Sequence, residues 1–99
     1  MKVININGIS QGLCGCGSWL DHWKNFSGQP LSAYCAAVVC FQKPEVGAHV
    51  QKADSLDNNW YIIPLCNKHN ALTGQSLDIV VNVRLVSADV SETCGKEFI

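Results

Sequence analysis

The sequence predicts a small α+β fold, and three observations carry that prediction. Apolar residues recur at helical spacing just after a glycine-rich turn, two short apolar runs follow mid-chain, and apolar and polar residues alternate near the C-terminus. Ninety-nine residues make one domain spanning the whole chain, short enough that a further staple beside the hydrophobic core is expected. Hydrophobic residues at 47% and charged residues at 15% exclude an intrinsically disordered chain. A formal net charge of -1 argues against a generic polyanion binder.

In chain order, Lys2 to Ile9 reads as a short edge strand, with Ile4 and Ile6 on one side and Val3, Asn5 and Asn7 on the other. Gly12 to Gly17 is a glycine-rich turn carrying Cys14 and Cys16. Ser18 then caps a helix, with Asp21 three residues on, and Trp19, Leu20, Trp23 and Phe26 form its apolar face until Gly28 and Pro30 stop it. Val46–Val50 and Trp60–Ile63 read as strands joined by the polar stretch Gln51–Asn59. Pro64 suits the first turn of a second helix, expected to run through Cys66 and His69 to about Leu72 and to end at Gly74. Leu77, Ile79, Val81, Val83 and Leu85 alternate with their neighbours up to Val86, which predicts the longest strand.

Six cysteines are the candidate staple. The N-terminal residues contain no apolar run resembling a signal peptide, so a cytoplasmic setting is expected, where thiols stay reduced and bind metal before they form disulfides. Cys35 and Cys40 are separated by four residues, a knuckle spacing. Cys66 and His69, three apart, share one face if a helix carries them. A loop pair and a helix pair then converge on one tetrahedral Zn2+ as Cys3His, and the helix N-terminus favours the Cys66 thiolate.

Two metal pairs joined by a hairpin, the second on a helix, describe a treble-clef zinc site with ββα order. Cys35…Cys40, Val46-Gly47-Ala48-His49-Val50, Asn58-Asn59 and Leu65-Cys66-Asn67-Lys68-His69-Asn70 together resemble the HNH family, a treble-clef group that includes many nucleases. The resemblance places an HNH-like core at about residues 35–73, with an N-terminal helix and a C-terminal strand added to it. It implies His49 as general base, Asn58 or Asn59 as the residue steadying it, and Asn70 as a ligand of a catalytic Mg2+ or Mn2+. Two departures weaken the catalytic half: Ala48 stands where the family usually has Asp or His, and His69 replaces the second helix cysteine. His49 thus keeps three readings: a general base, the fourth zinc ligand in place of His69, or a strand histidine packed in the core.

Cys14, Cys16 and Cys94 form a second group, which with His22 has the chemistry for a second Zn2+ or leaves packed thiols. The expected function is a zinc-stabilised module that binds protein or nucleic acid without turnover. The alternatives are a divergent HNH-like endonuclease cutting DNA phosphodiesters, with Lys52, Lys68 and Arg84 as a modest basic edge, and a disulfide-rich extracellular domain.

Overall fold

A computed structural model describes residues 1–6 and 15–93 of the chain. Its elements run Lys2–Asn5 (β1), Trp19–Phe26 (α1), Val46–Lys52 (β2), Tyr61–Leu65 (β3), Asn67–Asn70 (α2), Ser76–Asp78 (β4) and Val86–Ser87 (β5), followed by a 3-10 turn at Val90–Glu92. The strands form one five-stranded antiparallel sheet in the order β4-β1-β2-β3-β5.

Period-two alternation gives this sheet two buried faces. On the first, Ala48 and Val50 of β2 join Val3, Ile63, Leu65, Leu77 and Ile79 in the larger core, which also contains Cys35 and Cys66. On the second, Gly47 and His49 alternate with those residues, and Ile62, directly across from His49, packs with Trp23 of α1 and Val86 of β5. The hairpin register pairs Gly47 with Pro64 and Ala48 with Ile63, which keeps the two sets apart.

Helix α1 begins as the sequence predicts: the Ser18 hydroxyl accepts from the Asp21 backbone N–H at 3.0 Å. It ends at Ser27, and Gly28 follows at φ 71°, a left-handed conformation that glycine adopts without strain. Its buried stripe differs from the expected one. Trp23 and His22 are buried, Trp19 and Leu20 are half-buried, and Phe26 is exposed. A helix lying on a sheet buries the stripe its contact selects, and here that stripe includes a histidine.

Three further expectations are corrected. Strand β1 is interior, between β4 and β2, and it turns Val3 and Asn5 into the core with Ile4 half-buried. Pro64 lies in β3 and starts no helix, because its fixed φ also fits an extended segment. Its carbonyl accepts from the Ala36 N–H at 2.9 Å. The long C-terminal strand is two short ones on opposite sheet edges, β4 and β5, with an isolated bridge from Ile79 to Ala37. The chain must cross the sheet between them, and side chains hold the crossing. Trp23 Nε1 donates to the Arg84 carbonyl at 2.8 Å, and Gln29 bonds both the Asn82 carbonyl and the Arg84 N–H.

Candidate metal centre

Two loops and one short helix build a four-residue cluster. Cys35 and Cys40 bracket a loop whose backbone is fixed at both ends: the Cys35 N–H donates to Gln42 O, and Val38 N–H donates to Asp78 O. Between them Val39 takes φ 54°, left-handed for a β-branched residue, at a cost of about 1–2 kcal/mol. Cys66 ends the β3 segment and caps α2, its Sγ accepting from the His69 N–H at 3.4 Å. Helix α2 is one turn, shorter than the expected 64–72 span, because its cap is Cys66 itself.

The ligand atoms of Cys35, Cys40, Cys66 and His69 all lie within 4.8 Å of one another. Cys66 Sγ is 3.3 Å from His69 Nδ1, Cys35 Sγ is 3.6 Å from the same nitrogen, and Cys40 Sγ is 4.0 Å from Cys66 Sγ. A tetrahedral ion with Zn–S of about 2.3 Å and Zn–N of about 2.0 Å sets ligand atoms about 3.5–3.8 Å apart, close to these edges. The cluster is able to hold a metal ion and is compatible with one zinc. The 4.0 Å sulfur separation is about twice a disulfide bond, and Cys16, Cys35, Cys40 and Cys66 are all unbridged, against the disulfide reading for these four.

The thiols' electrostatics fit a cation. Burial pushes the Cys35 thiol up to about 11, the response of a thiolate denied both water and a counter-charge. Burial also opposes ionisation of Cys66, but the His69 and Lys68 N–H groups and the neighbouring Cys35 and Cys40 thiols outweigh it and hold its pKa below the ordinary value. Cys66 is thus more readily ionised than Cys35.

His69 is placed by a residue that the linear pattern does not single out. Asn5, fully buried in β1, donates from Nδ2 to the His69 carbonyl at 3.2 Å and to the Asn70 carbonyl at 2.7 Å. It caps the C-terminal end of α2, adding a donor to the Asn70 carbonyl and a second one to the His69 carbonyl, which also accepts from the Leu72 N–H at 3.1 Å. Asn5→Ala is expected to lower unfolding free energy by about 2 kcal/mol, seen as a lower urea midpoint of the zinc-loaded protein. A midpoint unchanged from wild type would show that α2 does not depend on this contact.

The remaining predicted residues divide by sheet face. His49 lies on the α1 face, its ring 4.7 Å from Trp19 and 6.0 Å from Trp60, in the core-packed arrangement. Asn58 and Asn59 line the same cavity of about 420 Å³ with His49 and Trp60. Asn70 belongs to α2, which Asn5 ties to the other face. His49 and Asn59 therefore come together, whereas Asn70 does not join them, and His69 rather than His49 completes the cysteine cluster. Among the described residues, nothing supports a Mg2+ or Mn2+ site. Cys14 and Cys94 lie outside the described residues; Cys16 is half-buried, its Sγ 3.9 Å from His22 Nδ1.

Burial first, then the charge of neighbouring His22, hold the His49 imidazole below its ordinary pKa of 6.5. The folded chain keeps it neutral while the unfolded chain takes up a proton, so stability is full above that pH and declines as pH falls below it. His49→Gln removes this linkage. At pH 5.5 wild type should have lost at most about 1.4 kcal/mol more than His49→Gln, relative to pH 7.5, in urea melts at saturating zinc. Equal losses in the two proteins would show that His49 is not the group responsible.

The fold and the cluster define a small α+β protein with a candidate metal centre. Neither a family model, nor a curated protein, nor a solved structure matches the chain. No helix among the described residues is long and apolar enough to cross a membrane.

Proposed function

We propose that the protein is a zinc-stabilised, non-catalytic binding module of treble-clef type, with one Zn2+ held by Cys35, Cys40, Cys66 and His69. The observation that carries this reading is the cluster's geometry: three sulfurs and one imidazole nitrogen spaced as the corners of a zinc tetrahedron. The hairpin β2–β3 leading into α2 has the order a treble clef requires, and the knuckle at Cys35–Cys40 packs against it. A cytoplasmic setting fits reduced thiols.

The surface beside the centre favours a protein partner over nucleic acid. Tyr34, Val38, Val39 and Phe41 are exposed around the knuckle, and Tyr34 and Phe41 pack edge to face at 5.6 Å. Tyr34, Val39 and Phe41 line a groove of about 490 Å³ that also reaches Leu31 and Val80. Such apolar exposure in a chain of net charge -1 suits a partner's apolar side chains better than a phosphate backbone.

The nuclease reading keeps one observation in its favour, the shared cavity of His49 and Asn59. Zinc-loaded protein incubated with plasmid and single-stranded DNA in Mg2+ or Mn2+ separates the two. The binding-module reading expects no cleavage, and anisotropy of labelled duplex unaffected by the protein at physiological salt. Metal-dependent cutting that disappears in His49→Ala would overturn it in favour of the nuclease. Salt-dependent duplex binding without cutting would replace the protein partner with nucleic acid.

A further inference from the structure

We propose that the cavity on the α1 face of the sheet binds an organic ammonium ion carrying both alkyl groups and an N–H. Trp19 and Trp60 are its aromatic walls, His49 its hydrogen-bond acceptor and Asp89 its counter-charge. The proposal is independent of the metal reading, because none of these residues belongs to the cysteine cluster.

His49 is the group that calls for a ligand. It is only 5% exposed, and no described residue hydrogen-bonds either of its ring nitrogens. No buried side-chain nitrogen or oxygen among the described residues is sealed away without a partner, so these nitrogens open on the cavity that His49 lines. A neutral imidazole presents one lone pair and one N–H, and leaving them unanswered out of water costs free energy. Burial keeps the ring neutral at neutral pH, so its lone pair is available to a donor and the ring does not repel a cation.

The walls are built by contacts that the fold already requires. Gly47 precedes His49 by two residues on the same strand face, and its missing side chain lets the backbone of Trp19 lie against β2. The Trp19 indole thereby comes to 4.7 Å from the His49 ring, edge to face. Trp60 stands 6.0 Å from His49, also edge to face, and its carbonyl accepts from the Ala88 N–H at 2.9 Å. That bond carries Asp89 alongside Trp60. Asp89 Oδ1 accepts from the Ser91 N–H at 2.9 Å and from the Ser91 hydroxyl at 2.6 Å, which fixes the carboxylate. Its other oxygen has no partner among the described residues.

Charge and shape select the ligand class. The cavity is lined by one carboxylate and by no Lys or Arg among the described residues, which disfavours phosphates and carboxylates. Indole faces attract cations, and most strongly those whose alkyl groups weaken hydration and pack against the ring. A neutral heterocycle would leave Asp89 unused, and a fully alkylated ion would leave the His49 lone pair unused. The volume of about 420 Å³ admits an alkyl chain behind the charged head. The ion can therefore be a free alkylamine or the alkylated side chain of a lysine in a peptide.

Dimethylammonium chloride titrated into the zinc-replete full chain, against sodium chloride at constant ionic strength, tests the proposal by the indole N–H resonances of the tryptophans. Those of Trp19 and Trp60 should shift and saturate. That of Trp23, which lies outside this cavity with its Nε1 bonded to the Arg84 carbonyl, should not. Tetramethylammonium, which has no N–H, should bind about fivefold more weakly. Asp89→Asn keeps an oxygen for Ser91 and removes the charge, so it should weaken binding about threefold without unfolding the exposed turn. A short peptide containing dimethyllysine, compared with the free ion, distinguishes the two sources: tighter binding by the peptide assigns a lysine side chain, and equal binding a free amine. Shifts no larger than those in sodium chloride would overturn the site. Shifts produced by inorganic phosphate or by neutral cytosine, and not by the ammonium ion, would overturn the ligand class. Tetramethylammonium binding as tightly as dimethylammonium would remove His49 as acceptor, and Asp89→Asn binding like wild type would remove Asp89 as counter-charge. The zinc content of the same sample, read by mass, bears separately on the cysteine cluster.

Discussion

Stripping the metal at neutral pH is expected to abolish the cooperative unfolding transition. Zinc bound by a Cys3His set contributes about 10–16 kcal/mol of apparent binding free energy in small domains, against a total folding stability of about 5–15 kcal/mol for a chain this size. The position of the proposed site in the core explains why so much would depend on one ion. Cys35 and Cys66 are buried in the larger core, so the ion's ligands and the apolar residues share one packed unit. Without a cation, Cys35 is a buried thiol at about 11 beside a Cys66 held toward its thiolate, and the backbone strain at Val39 has no compensation. Chelation followed by thermal melts monitored by circular dichroism reads the effect. A melt of unchanged midpoint and steepness, in protein shown by mass to be metal-free, would refute the role of zinc in folding. Among single substitutions, Cys66→Ala should be the most damaging at this centre. It removes a ligand and also the sulfur that accepts the His69 N–H at the start of α2. Cys40→Ala removes a half-exposed ligand alone and should leave weaker, still measurable zinc affinity.

How much of this was legible in sequence depends on the range over which each signal acts. Cys35–Cys40 and Cys66–His69 could be read because metal pairs are local, and their convergence needed only a hairpin between them. The length of α2 could not be read, since Pro64 serves an extended segment as well as a helix start and Cys66 turned out to be the cap. The role of Asn5 was invisible for a different reason: its partners lie 64 and 65 residues away. The alternation Gly47, Ala48, His49, Val50 already implied that His49 faces away from Ala48 and Val50. It could not say that α2 and the cysteine cluster would cover the apolar side. That placement is what separates His49 from Asn70, despite a motif in which both were expected to serve one site. The C-terminal alternation failed similarly, because period two continues through residues that cross from one sheet edge to the other.

The same alternation gives Gly47 an importance its neighbours conceal, and Gly47→Ala is expected to destabilise the protein by about 3 kcal/mol. Gly47 shares its face with His49, where the N-terminal end of α1 crosses β2. A Cβ there would lie 2.3 Å from the Trp19 carbonyl carbon and 2.5 Å from both the Trp19 oxygen and the Leu20 nitrogen. Those atoms are helix backbone, so no rotamer change relieves the overlap, and α1 must move away from the sheet as a body. Its φ is not in the left-handed region, so the requirement is for space and not for conformational freedom. Lifting α1 would loosen Trp23 from Ile62 and Val86, weaken the Nε1 bond to Arg84, and move His22 away from the Ser87 carbonyl. The Cys35–Cys40–Cys66–His69 centre lies on the other face and should still bind its ion. Urea melts of the zinc-loaded variant, with near-ultraviolet dichroism of the tryptophans, should show a lower midpoint and an altered aromatic signal. One tightly bound zinc should remain at this centre. A midpoint and aromatic spectrum identical to wild type would mean that α1 does not pack against β2 as closely as the structure shows.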